Sequence, residues 1–420
     1  MRRYGIILLI LIATFWGCSE RENPSEPTIS TGRFILGFVS GGLQGGSMTE
    51  EATGRHVYVY EPTEYTSPEY WFTYTESTYY DTVEQESVTV RIDSTLVRDS
   101  VSYEMPTLYL LHGFNGNHSY YKDLFILKET LDEMISNGEI VPMVVVTPDC
   151  DNAFGGSFYV NSPVDDSLGI SFAGNFEDFI VDSLISYITF NFNVDTASSK
   201  RGISGHSMGG YGALTLAMKH PDLYSSVSSM SAPVTFDSLV VLFDSIYAEN
   251  GFDPDSLPDD TTWFYSIEPS PDRPLTSLIF AMGAAFSPHA SSNPDTSLFH
   301  RVIDTNFPFG VDLPFNIDGS LNDSLWENLW LPNDPLTMLE TGGYTALEGK
   351  PVYLDCGDSD DLIPNMHLQN RVFAQALENY NLDYEYIEYS GYPGVDADHI
   401  TFVADRLREV LKFHSQAFSE

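Results

Sequence analysis

The chain has 420 residues, 42% of them hydrophobic, enough to bury a large core in one large domain or two modest ones, so disorder is not its default. Its 60 acidic side chains against 19 basic ones give a formal net charge of −41, which repels phosphate backbones and anionic headgroups and argues against nucleic acid as a partner. The acid excess reads as solubility and carries no chemistry of its own.

At the N-terminus, Arg2 and Arg3 precede an apolar run from Ile6 to Trp16 that stops at Gly17-Cys18. This is the pattern of a secretory signal, and the run is too short to span a bilayer comfortably. The small residue before Cys18 resembles the lipobox of bacterial lipoproteins. Cys18 is therefore the expected lipidation site of an exported protein of the bacterial envelope, touching the membrane only through that lipid. Phe15 and Trp16 are bulkier than the motif usually carries, which leaves a plain secretory signal as the alternative. Residues 19–31 are polar and contain proline, as in a tether, and the domain is expected over 32–418.

The strand-like runs then follow in order: "RFILGFV", "RHVYVYEP", "TLYLLHGF", "VPMVVVTPD", "KRGISGHS", "SSVSSMSA", "PVYLDCGD" and "YEYIEYSG". Helical periodicity lies between the later ones. It covers Tyr120 to Asn137, where Leu124, Leu127, Leu131 and Ile135 are spaced by three and four, then the run "NFEDFIVDSLISYITFNF", Gly210 to His220, Leu368 to Tyr380, and Thr401 to His414. Alternating strands and helices predict an α/β architecture, a mainly parallel central sheet covered by helices on both faces. Two insertions break the rhythm. Residues 66–105 are Tyr- and Thr-rich with partial alternation, an extra β-hairpin; residues 234–347 are too long for a plain loop and predict a cap. Phe286, Phe315, Trp326 and Trp330 in that cap would line an acyl or aryl pocket or pack its core. The acidic run "DPDSLPDD" lacks the glycine and terminal glutamate of an EF-hand-type loop, and no metal is expected there.

The motif that carries chemistry is Gly205-His206-Ser207-Met208-Gly209, a G-x-S-x-G between the strand-like "RGIS" and a helix with Ala213, Leu214 and Ala217 on one face. Strand, sharp turn and helix make a nucleophile elbow with Ser207 at its tip. The following helix aims its N-terminal amides at the site, so the Met208 N–H is one expected oxyanion donor, and the Phe114 N–H, in the loop after "LYLLHG", is the second. A serine hydroxyl needs a base and an orienting carboxylate further along the chain. Of ten histidines, His399 follows the last strand and precedes the last helix, where the base of this arrangement falls. His206 and His112 read as structural, and His220, His289, His300, His367 and His414 sit on helices or in the cap. For the acid, the loop after "VYLDCG" offers Asp358, Asp360 and Asp361. Asp360, three residues after Gly357, is the first choice, with Asp361 the alternative and Asp358 behind them.

The stretches "LYLLHGFNGNHSYY", "GSFYVNSP" and "ISGHSMGGYGALTLAMKHPDLYSSVSSMSA", with the ending around His399, resemble the esterase D or putative-esterase family of α/β-hydrolases. That family includes S-formylglutathione hydrolases, feruloyl and acetyl-xylan esterases and mycolyltransferases. The resemblance implies an α/β-hydrolase fold and a cofactor-free serine carboxylesterase. Ser207, Asp360 and His399 would be its catalytic residues, Phe114 and Met208 its oxyanion donors, and the segment with Tyr159 and Asn161 would stand beside the active site. Export disfavours a cytosolic thioester and favours short acyl or feruloyl esters on polysaccharide. Acyl transfer, or a non-catalytic binding module on the same scaffold, are the alternatives. In the strand order of such a fold the strands before Cys150 and Cys356 stand about four positions, or roughly 19 Å, apart. A disulfide needs α-carbons within about 7 Å, so both cysteines are expected to be unpaired.

Overall fold

The computed structural model describes residues 31–40, 54–65, 70–81, 86–98, 104–162, 164–165, 170–171, 173–260, 262–290, 300–301 and 309–420. Cys18 and the expected signal and tether up to residue 30 lie outside them. Gly32–Glu420 forms one compact unit.

Eight strands build the main sheet: β1 (Arg33–Ser40), β2 (Gly54–Glu61), β3 (Thr107–Leu111), β4 (Val144–Pro148), β5 (Arg201–Gly205), β6 (Ser226–Met230), β7 (Val352–Gly357) and β8 (Tyr384–Tyr389). They stand in the order β1-β2-β4-β3-β5-β6-β7-β8. β2 runs antiparallel to both β1 and β4, and every later pairing is parallel. The central strands β3 to β7 are buried along their whole length because both faces are covered, and β3 and β4 are accordingly almost wholly apolar. Leu108 and Leu110 of β3 enter one core with helices α1 (Leu127–Ser136) and α4 (Val403–Ser419), contributing Leu131, Met134, Leu407 and Leu411. Tyr109 and Leu111 point the other way, into the core of α2 (Met208–Lys219) and α3 (Met366–Asn379).

The single helix expected over Tyr120 to Asn137 is broken in two, Tyr120–Leu124 and α1, with Ile126 at φ 46° between them. The break turns Leu124 off the apolar stripe, leaving it 63% exposed, while Leu127 and Leu131 are fully buried. Within the expected 66–105 insertion, Tyr70–Asp81 and Glu86–Arg98 pair antiparallel as a separate hairpin, with a bulge between Thr75 and Glu76.

The cap is mostly short helices, with one three-stranded sheet of Pro288–Ala290, Phe309–Val311 and His300–Arg301. Its aromatics pack on one another: Phe236 and Phe286 against Trp330, and Phe315 against Phe243, Tyr247 and Phe264. All four cap aromatics singled out in the sequence are at most 5% exposed, so they form the cap's core, and of the four only Phe315 also borders a cleft in the cap. The two stems of the cap meet. The Leu336 N–H donates to the Val234 carbonyl at 3.0 Å, and the buried Asp334 carboxylate accepts from the N–H groups of Phe236 at 3.2 Å and Leu336 at 2.9 Å. Burial pushes the Asp334 carboxyl up to about 6. In the acidic run, Asp253 caps a short 3-10 turn by accepting from the Asp255 N–H at 3.1 Å and the Ser256 hydroxyl at 3.3 Å. Cys150, two residues past the end of β4, and Cys356, in β7, are buried and unpaired, and those two strands stand four positions apart.

Candidate active site

Ser207 sits between β5 and α2 with φ 58° and ψ −121°, a conformation a non-glycine residue holds only when its surroundings fix it. Those surroundings are the ends of neighbouring strands. The His206 N–H donates to the Leu111 carbonyl of β3 at 3.3 Å, and the Ser207 N–H to the Met230 carbonyl of β6 at 2.8 Å. The turn is so tight that a Cβ on Gly205 would lie 2.2 Å from the Gly209 carbonyl carbon, and one on Gly209 would lie 2.0 Å from the Leu111 carbonyl oxygen. That is the steric reason the motif demands glycine at both positions.

The structure brings Ser207, His399 and Asp360 into one hydrogen-bonded chain. The Ser207 hydroxyl lies 2.8 Å from His399 Nε2, and His399 Nδ1 lies 2.9 Å and 3.1 Å from the two Asp360 oxygens. A carboxylate can only accept, so Nδ1 carries the proton and Nε2 has its lone pair toward the serine. Asp360 is fully buried, while Ser207 and His399 are each 9% exposed, a reactive pair that opens to solvent over a sealed acid. The Leu362 N–H, at 3.4 Å, and the Cys356 thiol, at 3.8 Å, give Asp360 two further donors. Asp361 is exposed and Asp358 half-buried, and neither meets His399.

Opposite lies the loop after β3. The Asn115 N–H, at a residue with φ 59°, donates to the Gly155 carbonyl at 2.7 Å. Asn152 steadies the loop after β4 that carries Gly155, its Oδ1 accepting from the N–H groups of Phe154 at 2.9 Å and Gly156 at 3.3 Å. The Phe114 ring and the Met208 side chain both lie over Gly156. Among the described residues, no acceptor takes the N–H of Phe114 or of Met208.

Tyr159 and Asn161, in the segment whose Gly156 touches Phe114 and Met208, are both held by other parts of the protein. Tyr159 is fully buried against Gly212 and donates its hydroxyl to the His112 carbonyl at 2.7 Å, which leaves no face to line a substrate pocket. Asn161 is exposed but committed to Asp178, donating from Nδ2 at 2.7 Å and accepting the Asp178 N–H at 3.1 Å. Tyr159 thereby braces the helix behind Ser207, and Asn161 ties its segment to the helix at Asp178. A cleft of about 1000 Å³ opens instead in the cap, between Leu257, Tyr265 and Asn316, and no residue of the Ser207 cluster lines it.

The two histidines read as structural do different work. His112 accepts the Cys150 N–H at Nε2, 2.9 Å away, and donates from Nδ1 to the Gly113 carbonyl at 2.8 Å; burial pushes it down to about 4. His206 is in contact with the reactive cluster itself. Its Nε2 lies 2.8 Å from the His399 carbonyl, its Nδ1 lies 2.8 Å from the Tyr120 hydroxyl, and its ring centroid lies 4.8 Å from that of His399. No spacing in the sequence announces this contact, which spans 193 positions.

The strand order, the elbow between β5 and α2 and the Ser-His-Asp chain define an α/β-hydrolase fold. The sequence model of the family described as Putative esterase matches residues 85–400, and the chain belongs to that family. Esterase Rv1288 of Mycobacterium tuberculosis is 32% identical over 130 residues, 31% of this chain and 26% of that protein, so the chain spans about a quarter of that relative's length. Among solved structures, an S-formylglutathione hydrolase from Agrobacterium tumefaciens superposes with a TM-score of 0.52 at 15% identity, covering 94% of this chain and 99% of that one. A ferulic acid esterase superposes with a TM-score of 0.50 at 18% identity, covering 92% and 99%. These two share the fold.

Proposed function

We propose that the protein is a serine carboxylesterase that works through an acyl-enzyme. The observation that carries this reading is the unbroken chain from the Ser207 hydroxyl through His399 to Asp360 on a strained elbow. Ser207 Oγ attacks the ester carbonyl while His399 Nε2 takes its proton. Asp360 accepts from Nδ1–H and stabilises the imidazolium that forms. The Phe114 and Met208 amides donate to the tetrahedral oxyanion, the second from the first turn of α2, where the helix dipole adds positive potential. The imidazolium returns its proton to the departing alkoxide, and the acyl group stays on Ser207. Water, deprotonated by His399, then attacks the acyl carbonyl, and the acid leaves as Ser207 regains its proton. No cofactor enters these steps.

The substrate class we favour is a short acyl or hydroxycinnamoyl ester on polysaccharide, met outside the cytoplasm. Its support is the N-terminal pattern of Arg2, Arg3, the Ile6–Trp16 run and Cys18, read as an exported lipoprotein. The test is hydrolysis of short-chain nitrophenyl esters, methyl ferulate and acetylated xylan by the parent and by Ser207→Ala. We expect turnover by the parent and a loss of at least about 1000-fold in the variant. Equal rates for the two on every ester would sink the reading. For the lipid, Cys18→Ala should release the protein from membranes; membrane association that persists counts against Cys18.

A further inference from the structure

We infer that His206, braced by Tyr120, is a positioning residue that fixes the backbone of His399 for proton transfer with Ser207. The inference rests on the catalytic reading of that cluster. Its observations are two hydrogen bonds and one stack. A peptide oxygen only accepts, so the His206 Nε2–H donates to the His399 carbonyl across 2.8 Å. Nδ1 then carries the lone pair and accepts the Tyr120 hydroxyl across 2.8 Å. The Tyr120 ring lies nearly parallel to the His206 ring, 21° between planes, and completes the brace. His206 is fully buried, with its own backbone tied to the end of β3.

The need for such a brace follows from where His399 stands. Asp360 and Ser207 hold the two ring nitrogens, but the backbone under the ring belongs to a segment of turns between β8 and α4. Asp398 caps the residues beyond, accepting from the N–H groups of Ile400 at 3.0 Å and Thr401 at 2.8 Å. The carbonyl of His399 itself is held by His206. Because His206 adjoins Ser207 in the chain, one rigid strand end sets the position of both the nucleophile and the base. Tyr120, in the short helix after the Phe114 loop, ties that third part of the site to the same ring. The ring is also electrically suited: burial, and next the nearby His399, push His206 down to about 3, so it stays neutral and does not repel the imidazolium that forms beside it.

A base displaced by a fraction of an ångström loses rate without losing substrate binding. His206→Ala is therefore expected to lower kcat by roughly 100-fold with KM within about threefold of the parent. His206→Gln, whose side-chain amide can donate to the same carbonyl, should restore kcat to within about tenfold of the parent. Tyr120→Phe, which removes only the outer hydrogen bond, should fall between them. Thermal midpoints measured on every variant separate folding from positioning. An Ala variant with parental kcat overturns the inference, as do Gln and Ala variants that are equally slow. A rate loss that merely tracks the fraction folded overturns it too. Ser207→Ala, run alongside, distinguishes the two levels: if it retains the parental rate, the catalytic reading falls and takes this inference with it. If it is dead while His206→Ala is fully active, only the positioning role falls.

Discussion

The site depends on single atoms that residue type alone does not rank. Asp358, Asp360 and Asp361 are chemically the same group within four positions, and counting from Gly357 orders them without deciding. What singles out Asp360 is burial together with two contacts to His399, a tertiary fact. His206 shows the same limit from the other side, since its neighbour Ser207 was legible from the motif and its contact with the His399 carbonyl was not. Three buried histidines also carry a prediction about pH. His414 accepts at Nδ1 from the Ser226 hydroxyl, 2.8 Å away, and its Nε2 lies 2.9 Å from the Ser228 hydroxyl; burial pushes it down to about 3. The unfolded chain takes up that proton near pH 6.5 and the folded chain refuses it until about 3. Stability is therefore present above the unfolded value and falls on acidification, by up to about 1.4 kcal/mol per pH unit. His206 and His112 act in the same direction. Asp334 and Asp355, raised to about 6 by burial, act in the opposite one, stabilising below 3.8 and losing that contribution as pH rises through about 6. The test is thus a difference: the stability advantage of the parent over His414→Gln should shrink by about 2 kcal/mol between about pH 7 and pH 4.5 in urea unfolding. An advantage that stays constant or grows on acidification rules this out.

At the scale of elements, all eight strands of the main sheet were legible, β3 and β4 because apolar runs of that length have no better solution than a strand covered on both sides, and the edge strands β1 and β8 because of their aromatic and β-branched residues between turn signals. The helix after β3 was half legible. Its spacing of three and four continues through the break, and nothing in the residue types marks Ile126 as the left-handed residue that divides it. The break matters, because it lets the short helix carrying Tyr120 face the elbow while α1 packs the sheet. The elbow itself is the element with the least freedom. In Gly209→Ala the added carbon would meet the Leu111 carbonyl at 2.0 Å, and a β3 backbone atom cannot rotate away as a side chain does. We expect ester turnover to fall by at least about 100-fold and the unfolding midpoint in denaturant to drop. A variant with parental rate and midpoint would show that the turn tolerates a side chain.

For the whole molecule, the charge is the dominant feature with no local explanation. A formal −41 over the chain sets the folded surface against itself. Added salt shortens the reach of that repulsion from about 10 Å at 0.1 M to about 3 Å at 1 M. The thermal midpoint should accordingly rise by a few degrees between those two sodium chloride concentrations, as followed by circular dichroism. A midpoint that stays put or falls would place the repulsion in the unfolded chain as much as in the folded one. The cap, by contrast, is a local matter with a wider meaning. The chain departs at Val234 and comes back at Leu336 through a single rung, fastened by Asp334. To the sheet, the whole excursion is a stitch that leaves and re-enters by the same hole, so a longer, shorter or unrelated piece could be sewn in there without changing the strand order. The underside of the stitch is less forgiving. Phe236 and Phe286 of the cap share one ring cluster with Tyr211, from the helix behind Ser207, and with Phe158. Lineages that trade this piece can vary its outer surface freely, but each replacement must bring an apolar sole of the same size, or the helix that carries the nucleophile loses its cover.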